Sequence, residues 1–214
     1  MAKATVNKPY HHGDLRQSLI DAACKHLQES GADTLSLRAL AREVGVSQTA
    51  PYRHFESKGA LFAAIARYGF ELLRDETAAV ADRHPGAPDK ALVDVGMAYL
   101  GFALKHPEKY QLFFDSSLVD FSKDEEIVTA GSNAFAVLTG TIQKGIDAGL
   151  FREGSATEAA GVIWASVHGM ASLMMTKEPM MKNHYIKSSA SEAMSYLADN
   201  PEMILDLFVN SIRR

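Results

Sequence analysis

The chain has 214 residues, 47% of them hydrophobic and 22% charged, which is enough apolar material for a packed core and excludes a disordered polymer. A formal net charge of -4 excludes nucleic-acid binding by bulk basicity, and the single cysteine, Cys24, excludes an internal disulfide and a Cys-based zinc cluster. The opening MAKATVNKPYHHGDLRQ has no apolar signal core, and the apolar stretch Val162 to Met175, interrupted by His168, is read as too short for a bilayer. The expectation is a cytoplasmic protein that meets no membrane.

Helical periodicity runs through the chain. Leu15, Leu19, Ile20, Ala23 and Leu27 share one face of a segment over 14–30, and Gly31 stops it. Leu37, Leu40, Ala41 and Val44 repeat the pattern, with Ser36 as N-cap and Gly45 as the stop. A third short segment is expected from Ser47 to about Phe55. Ser57 then caps a long helix to about Asp82, which the run His84-Pro85-Gly86-Ala87-Pro88 breaks.

Helices are expected over 89–106 and from Pro107, which suits a first helical position. Two more follow over about 123–149 and over 156–176, the latter apolar on most sides and so buried or shared with a partner. The region 177–189 is the least regular, and Asn200-Pro201-Glu202 opens a final helix over 201–212. No sustained period-2 alternation, internal repeat or low-complexity tract interrupts this pattern, so the fold class is all-α.

Charge divides unevenly. Residues 1–58 carry eight Lys/Arg against six Asp/Glu, whereas residues 59–214 carry fourteen against twenty. A mildly basic head on an acidic body presents only the head to a polyanion.

The most informative stretch is LSLRALAREVGVSQTAPYRHF, residues 35–55. Two short helices flanking Gly45-Val46-Ser47 match a helix-turn-helix: Gly45 supplies a left-handed turn, Val46 tucks between the helices and Ser47 caps the second. Pro51 stands fourth from that cap, where it forfeits a backbone bond, so the second helix is expected to be short. Gln48, Thr49, Tyr52 and Arg53 face outward, a set able to donate to bases and phosphates. Two packed helices of any all-α domain share the bare pattern, but the preceding amphipathic helix supplies the third member of a compact bundle.

The run TLSLRALAREVGVSQTAPYRHFESKGALFAAI resembles the DNA-binding head of the TetR-like transcriptional regulators, over about residues 14–65. Ala41, Gly45-Val46-Ser47, Tyr52, His54-Phe55, Lys58 and Leu61 coincide with that family's signature. Thr49 stands where many members carry Gly, and Ala50-Pro51 also varies from the commonest form. Trp164-Ala-Ser-Val-His168-Gly169 resembles the motif of the subgroup whose C-terminal domain is named for Trp, His and Gly. The resemblance implies a cytoplasmic homodimer, two heads on one DNA duplex and a ligand pocket in each body.

The DNA-binding residues expected on this footing are Ser36, Arg38, Ser47, Gln48, Thr49, Tyr52, Arg53, His54 and Lys58. Gln48 and Thr49 are placed at base edges in the major groove, and Arg53 at a guanine or a phosphate. Tyr52 and His54 are placed on phosphates, with Lys58 neutralising one beside its helix N-terminus. Ser36 and Arg38 are lesser phosphate candidates, and Phe55 and Leu61 are core. Lys3, Lys8, Tyr10, His11 and His12 form either an arm along DNA or an ordinary disordered terminus.

The expected architecture is a three-helix helix-turn-helix head over 1–57, joined by a long helix to a helical ligand-binding and dimerisation domain over 58–214. The helices over 156–176 and 201–212 are candidates for the homodimer interface, with Ala160, Gly161, Ala165 and Ala171 allowing close approach; both can equally fill the monomer core. A pocket for a small hydrophobic effector is expected from Tyr99, Phe102, Phe113, Phe114, Phe135, Trp164, His168 and Met174. Aromatic and Met side chains at helical spacing also build cores, so that alternative stays open.

No Gly-rich phosphate loop, GxSxG or HExxH occurs, and His11-His12 has no partner at metal-ligand spacing. The expectation is therefore no enzyme, no cofactor and no metal. The leading reading is a ligand-responsive repressor on a pseudo-palindromic double-stranded operator. The alternative keeps the DNA-binding head but gives the body only a dimerising or protein-binding role.

Overall fold

Two serines set where the head's second helix and the long connecting helix begin. Each lies in extended backbone and accepts an amide three residues on: Ala39 N–H to Ser36 Oγ at 3.2 Å, and Ala60 N–H to Ser57 Oγ at 3.1 Å. The computed structural model describes residues 15–182 and 189–214, the side chains at 123 and 177–182 excepted. The terminal arm at Lys3, Lys8, Tyr10, His11 and His12 lies outside the described residues.

The α-helices are α1 (Leu15–Ser30), α2 (Leu37–Val44), α3 (Lys58–Ala81), α4 (Pro88–Lys105), α5 (Pro107–Leu112), α6 (Glu125–Asp147), α7 (Ala156–Lys182), α8 (Ser189–Asp199) and α9 (Pro201–Ile212). Among the described residues the extended pairing is a single bridge, Phe151 with Arg213. The all-α expectation therefore holds. Helix α7 outruns its expected end by six residues, and α8 rises from a stretch with no buried side chain to announce it.

Helix α3 organises the molecule. Its first half buries Leu61, Phe62 and Ile65 with Leu19, Ile20, Leu40 and Phe55 of the head, and its second half packs on α4 and α6. The buried side chains form one contiguous cluster, so head and body share a core through this helix. Such burial contributes about 25 cal/mol per Å² of apolar surface, the main stabilising term.

The 21-residue run Ala156–Thr176 of α7 is long and apolar enough to cross a membrane by length and composition. This corrects the expectation drawn from Val162–Met175. Packing accounts for part of its apolarity: Ile163, Val167, Met170 and Ala171 are buried against the bundle of α4 and α6, whereas Val162, Trp164 and Leu173 are exposed.

Burial pushes the Cys24 thiol up to about 11, with Lys109 pulling the other way. A thiol held protonated is a poor nucleophile. At pH 8, native Cys24 should react with an aromatic disulfide reagent about 100-fold more slowly than in the denatured chain, the ratio of thiolate fractions. Equal rates would overturn this placement.

Candidate functional site

The turn between the two short helices of the head is built from Gly45 onward. Gly45 adopts φ 79°, and the Val46 N–H reaches back to Ala41 O at 2.9 Å, closing α2 with a left-handed cap. The segment after it departs from expectation. Instead of an α-helix capped by Ser47, it forms a 3₁₀ turn over Ala50–Arg53, and Ser47 makes no side-chain cap; its Oγ lies 3.3 Å from Thr49 Oγ1. The cause is Pro51, which lacks the N–H that an α-helix would direct to Ser47 O. Ala50 N–H takes that carbonyl instead at 3.0 Å, and Pro51 sits in the first turn, where its missing donor costs nothing.

Pro51 and Phe55 are buried and anchor the turn, leaving Ser47, Gln48, Thr49, Tyr52, Arg53 and His54 exposed. Tyr52 is 47% exposed. Lys58, half-buried at the start of α3, crosses to the α1–α2 loop, where its Nζ donates to Asp33 O at 3.4 Å. That loop leads to Ser36 and Arg38, both exposed. The nine expected residues thus fall in two groups, the 47–54 turn and the Ser36–Arg38 helix start, with Lys58 reaching the loop before the second.

The body holds an open-mouthed cavity of about 690 Å³. Its walls come from α3 (Phe70, Leu73, Thr77), α4 (Leu92, Tyr99), α6 (Phe135, Leu138), α7 (Gly161, Trp164, Val167) and α9 (Leu205, Phe208), with Phe113 and Phe114 from the loop after α5. Tyr99, Phe113, Phe114, Phe135 and Trp164 line it as expected, and three others do not. Phe102 is buried beneath it, its ring stacked on Phe113 at 5.8 Å. Met174 is partly buried against the core. His168 stands behind the lining, its Nδ1 2.6 Å from the hydroxyl of buried Tyr110.

Tyr110 continues the chain of bonds, its hydroxyl lying 3.1 Å from that of Tyr99. Burial pushes both tyrosines up and His168 down, so all three are neutral at physiological pH. The α3 and α9 walls escaped sequence reasoning, because periodicity marks an apolar face without telling whether the space behind it is filled.

The pocket wall also bears on α3 directly. Phe113 stacks on Phe70 at 3.8 Å and covers Gly69, where an added Cβ would meet the Phe113 ring at 2.8 Å. Among the described residues no group of His, Cys, Asp or Glu could hold a metal ion.

Comparison with known proteins follows the same division. Residues 19–65 match the family model described as bacterial regulatory proteins, tetR family, and residues 92–194 match the tetracyclin repressor-like C-terminal domain. The chain belongs to the TetR family. It is a DNA-binding transcriptional regulator and not an enzyme, in a family whose members bind DNA operators and act as dimers. It is 26% identical to the HTH-type transcriptional regulator YobS of Bacillus subtilis over 84% of this chain and 88% of that one. Over 51 residues it is 45% identical to the class D tetracycline repressor protein of Escherichia coli, 24% of this chain and 23% of that one. A solved structure of a protein of unknown function from Rhodococcus sp. RHA1 has 29% identity and a TM-score of 0.77, covering 97% of this chain and all of that one (100%).

One feature of this TetR-family member was not legible beforehand. Glu108, in the first turn of α5, is buried at the junction with the head: it accepts from Gln28 Nε2 at 2.7 Å and from Lys109 Nζ at 2.7 Å. Burial pushes its carboxyl up, but the bonds from Lys109 and Gln28 outweigh that and hold it below the usual range. Burial likewise opposes the charge on Lys109, while Glu108 holds its ammonium above the usual value. Adjacent charges in sequence suggest a solvated helix start; only a partner 80 positions away makes this one a buried tie between α1 and α5.

Proposed function

We propose that this regulator is a ligand-responsive repressor that binds a pseudo-palindromic operator as a homodimer, with a small hydrophobic effector in each body. One observation carries the reading: the cavity is walled by Phe70, Leu73 and Thr77 of α3, the same helix that begins at Lys58 beside the reading turn. An effector that prefers one arrangement of the α3 wall shifts the heads by its difference in affinity between the two arrangements. The cavity volume suits a drug-sized organic molecule.

Ser36, Arg38, Ser47, Gln48, Thr49, Tyr52, Arg53, His54 and Lys58 are assigned to DNA, with the head at 1–57 and the body at 58–214. For the dimer, Val162, Ala165 and Leu173 of α7 and Met203 and Leu207 of α9 are exposed at helical spacing, Val162 at 70% and Leu207 at 58%. Paired with their copies, α7 and α9 make a four-helix seam that removes these side chains from water. Of the small residues expected at the seam, Ala165 is exposed; Ala160 and Ala171 are buried in the monomer and Gly161 faces the cavity. We also assign the body to the Trp-His-Gly subgroup on Trp164, His168 and Gly169, and the protein to the cytoplasm, away from membranes.

The test joins two measurements on the purified protein. Selection from random duplex DNA should enrich a pseudo-palindrome. A thermal-shift screen of neutral hydrophobic compounds should find ligands that raise the midpoint by about 5–10 °C at 100 times Kd, corresponding to about 2.7 kcal/mol, and the same compounds should release the enriched duplex. A palindrome with no stabilising compound supports the ligand-independent alternative. No enrichment by a folded dimer overturns the operator assignment.

A further inference from the structure

The 22 residues that line the cavity include no charged side chain. Their polar groups are few, and two have committed their protons within their own helices, leaving only acceptor sites: Thr77 Oγ1 donates to Leu73 O at 2.7 Å and Ser132 Oγ to Val128 O at 2.8 Å. Thr157 is exposed to solvent. Tyr99 is different. Its ring lines the cavity, and its hydroxyl is held from behind by Tyr110 at 3.1 Å, with Tyr110 in turn held by His168 Nδ1 at 2.6 Å.

A hydroxyl has one proton and two acceptor sites. If His168 accepts from Tyr110, Tyr110 accepts from Tyr99, and Tyr99 offers the cavity an acceptor. If His168 carries the Nδ1 proton, the chain reverses, and Tyr99 offers the cavity its own O–H. In either sense at least one hydrogen-bonding position remains at Tyr99, and a ligand hydroxyl satisfies both because it donates and accepts. An ionised ligand finds no counter-charge in the wall and loses its hydration on entry.

We propose that the effector cavity selects an uncharged, largely apolar molecule bearing an alcohol or phenol hydroxyl, and that Tyr99 is the residue that reads this hydroxyl. This rests on the ligand-responsive reading above and narrows it to a chemical class. The Tyr110–His168 pair acts as a positioning device, fixing the Tyr99 oxygen rather than touching the ligand.

The experiment uses the full chain and Trp164, the single tryptophan, as reporter. Intrinsic fluorescence is titrated at pH 7.5 with 1-decanol, decanoate and decyltrimethylammonium, three probes with one ten-carbon chain and three head groups, below their aggregation limits. Decanol should shift the emission with a Kd at least tenfold below that of either ion. The Tyr99→Phe variant keeps the ring and removes the oxygen, and should weaken decanol about three- to tenfold while changing neither ion's titration.

Equal or tighter binding of an ion overturns the proposed selectivity while leaving the ligand-responsive reading in place. An unchanged decanol affinity in a folded Tyr99→Phe protein overturns the role of Tyr99. If that variant does not fold, the head-group contrast on the parent protein still decides the selectivity. No response to any of the three probes overturns the proposal, whereas the ligand-responsive reading stands or falls separately on the thermal-shift and operator-release screen.

Discussion

Glu108→Ala lowers the thermal midpoint by about 6–12 °C, the effect of about 3 kcal/mol on a domain of this size. The loss comes from what stays behind. Lys109 Nζ, bonded to Glu108 Oε1 at 2.7 Å, belongs to a side chain only 9% exposed, so removing the carboxylate leaves an ammonium that is neither paired nor well hydrated. Gln28 loses its acceptor at the same time, which loosens α1 from α5. Replacing both charges by apolar groups of similar length, Glu108→Leu with Lys109→Met, should recover most of the midpoint, because it removes the stranded charge along with its partner. Differential scanning calorimetry of the three proteins decides the matter: a single variant as stable as its parent shows that water reaches the pair.

The same carboxylate gives a pH signature. Its folded value lies below the unfolded one, so the folded state binds fewer protons and stability rises with pH across that interval. The contribution is complete above the unfolded value, near about 4.3, and disappears as pH falls through the lower folded value. Glu108→Gln, which keeps hydrogen-bonding capacity without the charge, should therefore flatten the acid side of the stability curve. Lys109 has the opposite sense: its raised folded value gives stability that is complete below the unfolded value and lost only as pH rises through the folded one.

Local rules explain what the sequence disclosed and what it hid. Ser36, Ser57 and Gly45 fix helix ends through bonds within a few residues of themselves, Pro107 does so through its ring-fixed φ and missing N–H, and each does in space what its position implies. Pro51 also acts locally, but it does more than remove one bond from an α-helix. The chain instead tightens to 3₁₀ geometry, so that the bond is never required. Burial of charge and the shape of a void depend on remote partners. Phe102 and Phe135 are equally apolar on their helices, but Phe102 is sealed beneath Phe113 while Phe135 faces open space. Nothing in the spacing of either residue encodes that difference. Helix α8 holds to the body only through partly buried side chains such as Leu197, with none of its residues fully buried.

The second large effect concerns DNA. The double variant Tyr52→Ala, Lys58→Ala should bind the selected operator at least about 100-fold more weakly at 0.15 M salt, since a dimer loses four polar contacts of about 0.7–1 kcal/mol each. Its fold should survive, because Tyr52 is 47% exposed and Lys58 makes only a loop-carbonyl bond and a contact with the Phe62 ring at 5.5 Å. The two residues separate by mechanism. Lys58→Ala alone removes one neutralised phosphate per subunit, so the slope of log K against log salt should flatten by about 1.8 for the dimer, equally on every sequence. Arg53→Ala should relax base preference at one position of each half-site if its guanidinium reads guanine, and otherwise weaken all sequences alike. Gel-shift titrations across salt and across single-base operator variants distinguish these outcomes. If a folded Tyr52→Ala, Lys58→Ala dimer binds as its parent does, the 3₁₀ turn is not the reading surface, and recognition must fall to the Ser36–Arg38 end of α2.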